Sequence, residues 1–172
     1  MAKRGLIQVY TGEGKGKTTA ALGLAMRAVG QGMKVIFIQF VKGDPNCGEH
    51  FFASKYHPFD IVQLAVGDSF DKTKEQLSAD AQRTLVYAEE AIVHGGYDMV
   101  ILDEIFIAVK QGSITTKQVL DLIDKKPESL ELVLTGRYVP REVVQRADLV
   151  TEMLMIKHPF TEGIRARPGI EY

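Results

Sequence analysis

The sequence predicts an α/β fold in one domain covering residues 1–172, with a mostly parallel sheet and helices on both faces. Three observations predict it. Short apolar, β-branched runs alternate with longer segments whose apolar residues recur at helical spacing, the pattern of βαβ units. The runs are apolar on consecutive residues, as in Met99-Val-Ile-Leu102, which suits strands covered on both faces. Glycine and proline fall between these segments, and no repeat, low-complexity tract or linker divides the chain.

The elements follow in order. Residues 6–10 form a short β-prone run that ends in a glycine-rich loop. A helix is expected over 18–29, where Ala21, Leu22, Ala25, Met26 and Val29 recur at helical spacing and Gly30 and Gly32 stop it. Residues 34–39 read as the second strand. Residues 41–58 hold Gly43, Pro45, Gly48 and Pro58 and read as loop with one helical turn at most. A third strand is expected over 59–66. Residues 76–94 give the clearest helix, with Leu77, Ala81, Leu85, Ala88 and Ile92 in one stripe before Gly95-Gly96. A buried strand over 98–102 precedes a helical stretch over 105–123 that breaks near Gly112. Residues 130–134 and 149–156 read as strands around a short helix at 140–146. The segment from 157 to 172, with Pro159, Gly163, Pro168 and Gly169, reads as irregular.

Composition excludes several classes. Lys plus Arg number 21 against 22 Asp plus Glu, so the basic excess of an electrostatic nucleic-acid binder is missing. No apolar run approaches the ~20 residues of a membrane span. Cys47 is the single cysteine, which rules out an intramolecular disulfide and fits a reducing, cytoplasmic setting. The four histidines do not pair at zinc spacing, and no Ser-His-Asp arrangement is legible.

Thr11-Gly-Glu-Gly-Lys-Gly-Lys-Thr-Thr19 stands between the first strand and the first helix, where a phosphate-binding loop belongs. Gly12, Gly14 and Gly16 let successive backbone N–H groups turn onto an anion, and the helix N-terminus adds its dipole. Glu13, Lys15 and Thr19 belong to the same loop. Lys17 reaches terminal phosphates in such loops, and Thr18 offers its hydroxyl to Mg²⁺. The usual spacing, G-x-x-x-x-G-K-[ST], is not met to the letter: Thr11 occupies the first glycine slot. Glu13 puts a carboxylate near the phosphates, which is unfavourable unless it points to solvent. The acidic partner of such a loop stands at the end of a buried strand. Asp103 and Glu104 supply it, and either suits a hard cation. Together these features predict a P-loop NTPase-like (RecA-like) fold carrying a Mg²⁺–nucleoside triphosphate site. Arg27, in the first helix, and Arg137, in Thr135-Gly-Arg137 after an apolar strand, are further candidates for a phosphate contact. For Arg27 a solvated helical arginine is the default reading. No Asn-Lys-x-Asp run selects guanine.

From residues alone, kinase, ATPase, GTPase, transferase and a non-catalytic nucleotide-binding module stay open. The variant loop, read on through Ala20-Ala21, closely resembles the shortened loop of the ATP:corrinoid adenosyltransferases of the cobalamin-biosynthesis type. The resemblance continues in Arg27-Ala-Val-Gly-Gln-Gly32, Gln39-Phe-Val-Lys-Gly43, Leu102-Asp-Glu104 and Thr135-Gly-Arg137. It extends through Lys157-His-Pro-Phe-Thr-Glu-Gly163 to Gly169-Ile-Glu-Tyr172. It implies transfer of the adenosyl group of ATP to the cobalt of a reduced corrinoid, with inorganic triphosphate leaving. It also implies a flavoprotein reductant and a homodimer. In the family the triphosphate is understood to lie reversed in the loop. A P-loop ATPase or small-molecule kinase cleaving at the γ-phosphate is the alternative. Two departures stand out. Family members often carry an N-terminal extension that covers the site, whereas about five residues precede the first strand here, so the lid is expected elsewhere or not at all. The family also places two aromatics after the third strand to displace the lower axial ligand of cobalt. Phe70 is retained as a corrin-facing residue, but Asp68 stands where the other is expected.

Overall fold

The computed structural model describes residues 4–41, 46–65, 67 and 71–172. Six parallel strands form one sheet in the order β3-β2-β4-β5-β1-β6. They are β1 (Ile7–Thr11), β2 (Val35–Gln39), β3 (Asp60–Gln63), β4 (Met99–Asp103), β5 (Glu131–Thr135) and β6 (Leu149–Glu152). The helices are α1 (Lys17–Gly30), α2 (Gly48–Tyr56), α3 (Lys74–Val93), α4 (Ile105–Lys110), α5 (Thr116–Lys125) and α6 (Arg141–Arg146). A short 3-10 helix spans Pro159–Glu162.

The consecutive apolar residues of the central strands separate onto two faces, as the pleat requires. Val100, Leu102, Leu132 and Leu134 join Ile36 and Ile38 under α3, α4, α5 and α6. Met99, Ile101, Phe37 and Val133 point the other way and pack on α1. That helix meets them with Ala21, Ala25 and Ala28, side chains small enough to bring its backbone close to the sheet. Two helices start on capping boxes. Thr73 accepts from the N–H of Gln76 while the Gln76 side chain accepts from Thr73 N–H, and Thr115 and Gln118 repeat the arrangement.

The structure differs from the sequence expectations at three places. Residues 48–56 form a nine-residue helix instead of a single turn. Only Ala53 of α2 is buried, so its sequence has no apolar stripe to betray it. β3 is four residues long, shorter than the run that predicted it. β6 is four residues long, Leu149–Glu152, where the run over 149–156 predicted a longer strand. The expected break near Gly112 is present between α4 and α5, with Gly112 itself at φ 74°.

The topology fixes the site. β1 lies between β5 and β6, and β4 lies on the far side of β5. The C-terminal ends of β1, β5 and β4 are therefore side by side, and ligands of open parallel sheets sit at that edge. Register puts Tyr10 beside Thr135 and Gln39 beside Asp103, at one level of the sheet.

Candidate functional site

The chain leaves β1 into the glycine loop and enters α1 at Lys17. Two glycines make that turn possible. Gly12 has φ 97°, and a Cβ there would stand 2.4 Å from the carbonyl oxygen of Met153. Gly16, which caps α1, has φ 118°. Both conformations belong to glycine. The loop is pinned from the edge strand's side: Gly14 N donates to Met153 O at 2.7 Å, and Met153 N donates to Thr11 O at 2.8 Å.

Lys17 Nζ donates to the carbonyl oxygens of Gly12 at 2.7 Å and Gly14 at 2.6 Å, so its ammonium lies across the loop. Burial, and then the Arg137 guanidinium, lower its pKa, while Glu104, Glu13 and Asp103 act against the shift. Thr18 Oγ1 donates to Asp103 Oδ1 at 3.0 Å. This joins the first turn of α1 to the end of β4, as the loop and the acidic strand end predicted. Asp103 is fully buried.

Thr135 also joins this constellation, though the sequence does not mark it as a candidate. Its hydroxyl donates to Asp103 Oδ1 at 2.7 Å and accepts from Glu104 N at 3.0 Å. It thereby orients the carboxylate from the strand between β1 and β4. Its signal in the sequence is the Thr135-Gly-Arg137 run, in which the arginine is the more evident phosphate candidate. Glu104 takes a left-handed conformation at φ 59°, unusual for a side chain other than glycine, and starts α4. That turn puts Glu104 at the cleft while Asp103 stays in the sheet.

An open cleft of about 520 Å³ lies over the loop, within the usual range of small-molecule sites. Gly14, Lys15, Gly16, Lys17, Thr18 and Thr19 form its floor, and Glu104 and Arg137 its side. Glu49 from α2, His158 and residues 169–172 complete it; none was a site candidate from sequence, although His158 and 169–172 lie in the motifs that carry the family resemblance. Gly12 and Glu13 do not line the cleft. Glu13 is exposed and pairs with Arg137 at 3.1 Å. Arg27 is exposed in the last turn of α1, ten residues along the helix and so about 15 Å from Lys17. It does not join the lining. Phe70 and Asp68 lie outside the described residues, as do Lys42 and Gly43 of the Gln39-Phe-Val-Lys-Gly43 motif.

The side-chain donors at Thr18, Asp103 and Glu104 are all oxygens, the chemistry that Mg²⁺ selects. Among the described residues no cluster of three or more His, Cys, Asp and Glu could hold a metal unaided. A Mg²⁺ ion bound here would thus share its coordination with phosphate oxygens and water, its usual habit beside nucleotides.

A parallel sheet, a glycine loop running into a helix, and a threonine hydroxyl joined to a strand-end aspartate define a P-loop protein of the nucleotide-binding α/β class. The family model for ATP:corrinoid adenosyltransferase BtuR/CobO/CobP matches residues 3–172. The corrinoid adenosyltransferase of Escherichia coli strain K12 is 36% identical over 171 residues, covering 99% of this chain and 87% of that protein. A corrinoid adenosyltransferase of Sinorhizobium is 38% identical over 175 residues, with 99% and 81% covered. The corrinoid adenosyltransferase CobA of Salmonella typhimurium is 34% identical over 171 residues, with 99% and 87% covered. The chain belongs to the ATP:corrinoid adenosyltransferase family.

Proposed function

We propose that this chain, acting as one domain, transfers the 5′-deoxyadenosyl group of ATP to the Co(I) centre of a reduced corrinoid, in adenosylcobalamin biosynthesis or salvage. The observation that carries the reading is a match of family and relatives along nearly the whole chain, over a cleft floored by a phosphate loop. The electron pair on Co(I) forms the bond to C5′. The C5′–O bond breaks, and its pair leaves on the oxygen of inorganic triphosphate. Co(I) is a strong nucleophile, so the step needs no general base. The protein's contribution is alignment of C5′ with cobalt and stabilisation of charge on the leaving triphosphate.

The loop amides from Lys15 to Thr19 and the Lys17 ammonium are the groups that serve that charge, the Gly14 amide being taken by Met153 O. Lys17, held at loop carbonyls 2.6–2.7 Å away, is half-buried and already placed. Thr18 and Asp103, with Glu104 at the cleft, are the residues to hold Mg²⁺, which supplies positive charge against the phosphate oxygens. Gly12 and Glu13 shape the loop, and Arg137 stands where it can exchange Glu13 for a phosphate. Arg27 belongs to the reading only as a contact made beyond this cleft.

The corrinoid side rests on the family. Phe70 is assigned to the corrin face, where it favours reduction of Co(II) to Co(I) by an external flavoprotein. Homodimerisation is part of the reading. Edge strand β6 is exposed along its length, and Leu149, Val150, Leu154, Met155 and Ile156 leave apolar surface uncovered beside it. No helix among the described residues is long and apolar enough to cross a membrane. A reducing cytoplasm is the compartment in which Co(I) chemistry and a lone buried Cys47 fit together.

Incubation of the protein with Mg-ATP and chemically reduced corrinoid is expected to yield triphosphate and a cobalt–carbon adduct. ADP without adduct would instead identify a kinase or ATPase, a reading that the family membership does not favour. Phe70→Ala is expected to lose activity from Co(II) starting material and to keep it with pre-reduced Co(I). Equal loss in both assays removes the role assigned to Phe70.

A further inference from the structure

Lys15 lies in the phosphate loop, yet its ammonium is held by residues 155 and 156 positions away. Lys15 Nζ donates to the carbonyl oxygen of Ile170 at 3.0 Å and to Glu171 Oε1 at 2.9 Å. Glu171 is fixed in turn. Arg167 donates to its Oε2 from the backbone N–H at 2.9 Å and from Nε at 3.2 Å, and to Oε1 from Nη2 at 3.1 Å. A further bond, Gly169 N to Tyr172 O at 2.7 Å, closes the turn. The segment also reaches across the cleft. Gly169, Ile170, Glu171 and Tyr172 line it opposite the loop. The carbonyl oxygen of Tyr172 lies 4.0 Å from where a Cβ on Gly48 would stand, at the start of α2.

An ammonium has three N–H donors, and the two bonds to residues 170 and 171 use two of them. The cluster sets two cations, Lys15 and Arg167, around one carboxylate. The grip of Arg167 on Glu171 exists independently of Lys15. Glu171 is therefore an anchor to which Lys15 is tied, rather than a lid that nucleotide must break. Long lysine side chains lose much rotamer freedom when they engage a ligand, and an anchor that fixes the rotamer beforehand removes part of that cost.

We propose that Glu171 is a positioning residue for the nucleotide: gripped by Arg167, it holds the Lys15 ammonium at the mouth of the cleft with one N–H directed to a polyphosphate oxygen. This rests on the triphosphate reading above. It assigns residues 167–172 to the ATP site as a fourth wall, with Glu171 acting through Lys15 and Arg167 acting through Glu171.

The test is the dissociation constant of Mg-ATP on the full chain, measured by calorimetry with no corrinoid present. The proteins are the wild type, Glu171→Ala, Lys15→Ala, Arg167→Ala and the double variants that combine Lys15→Ala with each of the others. Each single substitution is expected to weaken binding by about tenfold, the scale of one charge-assisted hydrogen bond. Each double variant is expected to bind no worse than Lys15→Ala alone, because the three residues act as one unit. A merely structural role for the segment would give additive losses, and additivity overturns the proposal. Tighter binding by Glu171→Ala also overturns it, because the contact would then compete with nucleotide. Wild-type binding with unchanged variants sinks this inference alone, whereas a wild type that binds no Mg-ATP sinks the triphosphate reading with it.

Discussion

Asp103 is the residue on which the site turns. It is fully buried, and its Oδ1 takes hydroxyl bonds from both Thr18 and Thr135. Removing one donor from a buried carboxylate costs about 1–3 kcal/mol. Thr135→Val keeps the shape and deletes the donor, so denaturant unfolding should show a loss of that size. The same variant should bind Mg-ATP more weakly, because Asp103 is no longer oriented toward Thr18. Lys17→Ala is expected to weaken ATP binding by tenfold or more, about the contribution of one desolvated charge-assisted contact, with little change in unfolding. Lys17, Thr18 and Asp103 were legible in the sequence because glycine spacing and a strand-end acid mark them. Thr135 was not, because a threonine ending an apolar strand carries no mark until its neighbour strand is known.

At the scale of elements, α1 carries the loop, and its alanine face sets how closely it rides the sheet. Ala25 is fully buried between the helix and Phe37, Ile101 and Val133. Ala25→Leu is expected to cost about 1–3 kcal/mol by overpacking and to move Lys17 and Thr18 away from Asp103. Loss of stability together with loss of ATP binding, against unchanged helix content by circular dichroism, checks both halves. Thr73→Ala removes one capping box and should cost about 1 kcal/mol in urea unfolding without touching nucleotide affinity. The segment 167–172 responds to pH. Bonds from Arg167 and Lys15 hold the Glu171 carboxyl down at about 2, against 4.5 for the free group. The folded pKa is the depressed one, so the tether is fully present above pH 4.5 and lost as pH falls toward 2. Carbon-13 titration of Glu171 by NMR should show the late protonation. The parallel strands were readable because burial on both faces writes an unbroken apolar run. α2 was not, because a helix that buries one alanine writes no stripe. Nor was the wall at 169–172, since contact between residues 15 and 171 leaves no period in the sequence.

For the molecule as a whole, nucleotide and fold share one free energy. Mg-ATP at a hundred times its dissociation constant stabilises the native state by about 2.7 kcal/mol. For a chain of this size that raises the unfolding midpoint by about 5–10 °C. A thermal scan with and without Mg-ATP checks the expectation, and Lys17→Ala should abolish most of the shift. The sheet order explains why one nucleotide reports on so much of the chain. The groups beneath it come from β1, β5 and β4, three neighbours at the centre of the sheet. The bond from Gly14 N to Met153 O carries a separate consequence. Met153 directly follows β6, an edge strand exposed along its length. The Gly14 amide proton is shielded only while that edge stays zipped to β1. Its exchange into heavy water should therefore follow the fraying of β6, making one proton of the glycine loop a clock for the seam at the sheet's outer border.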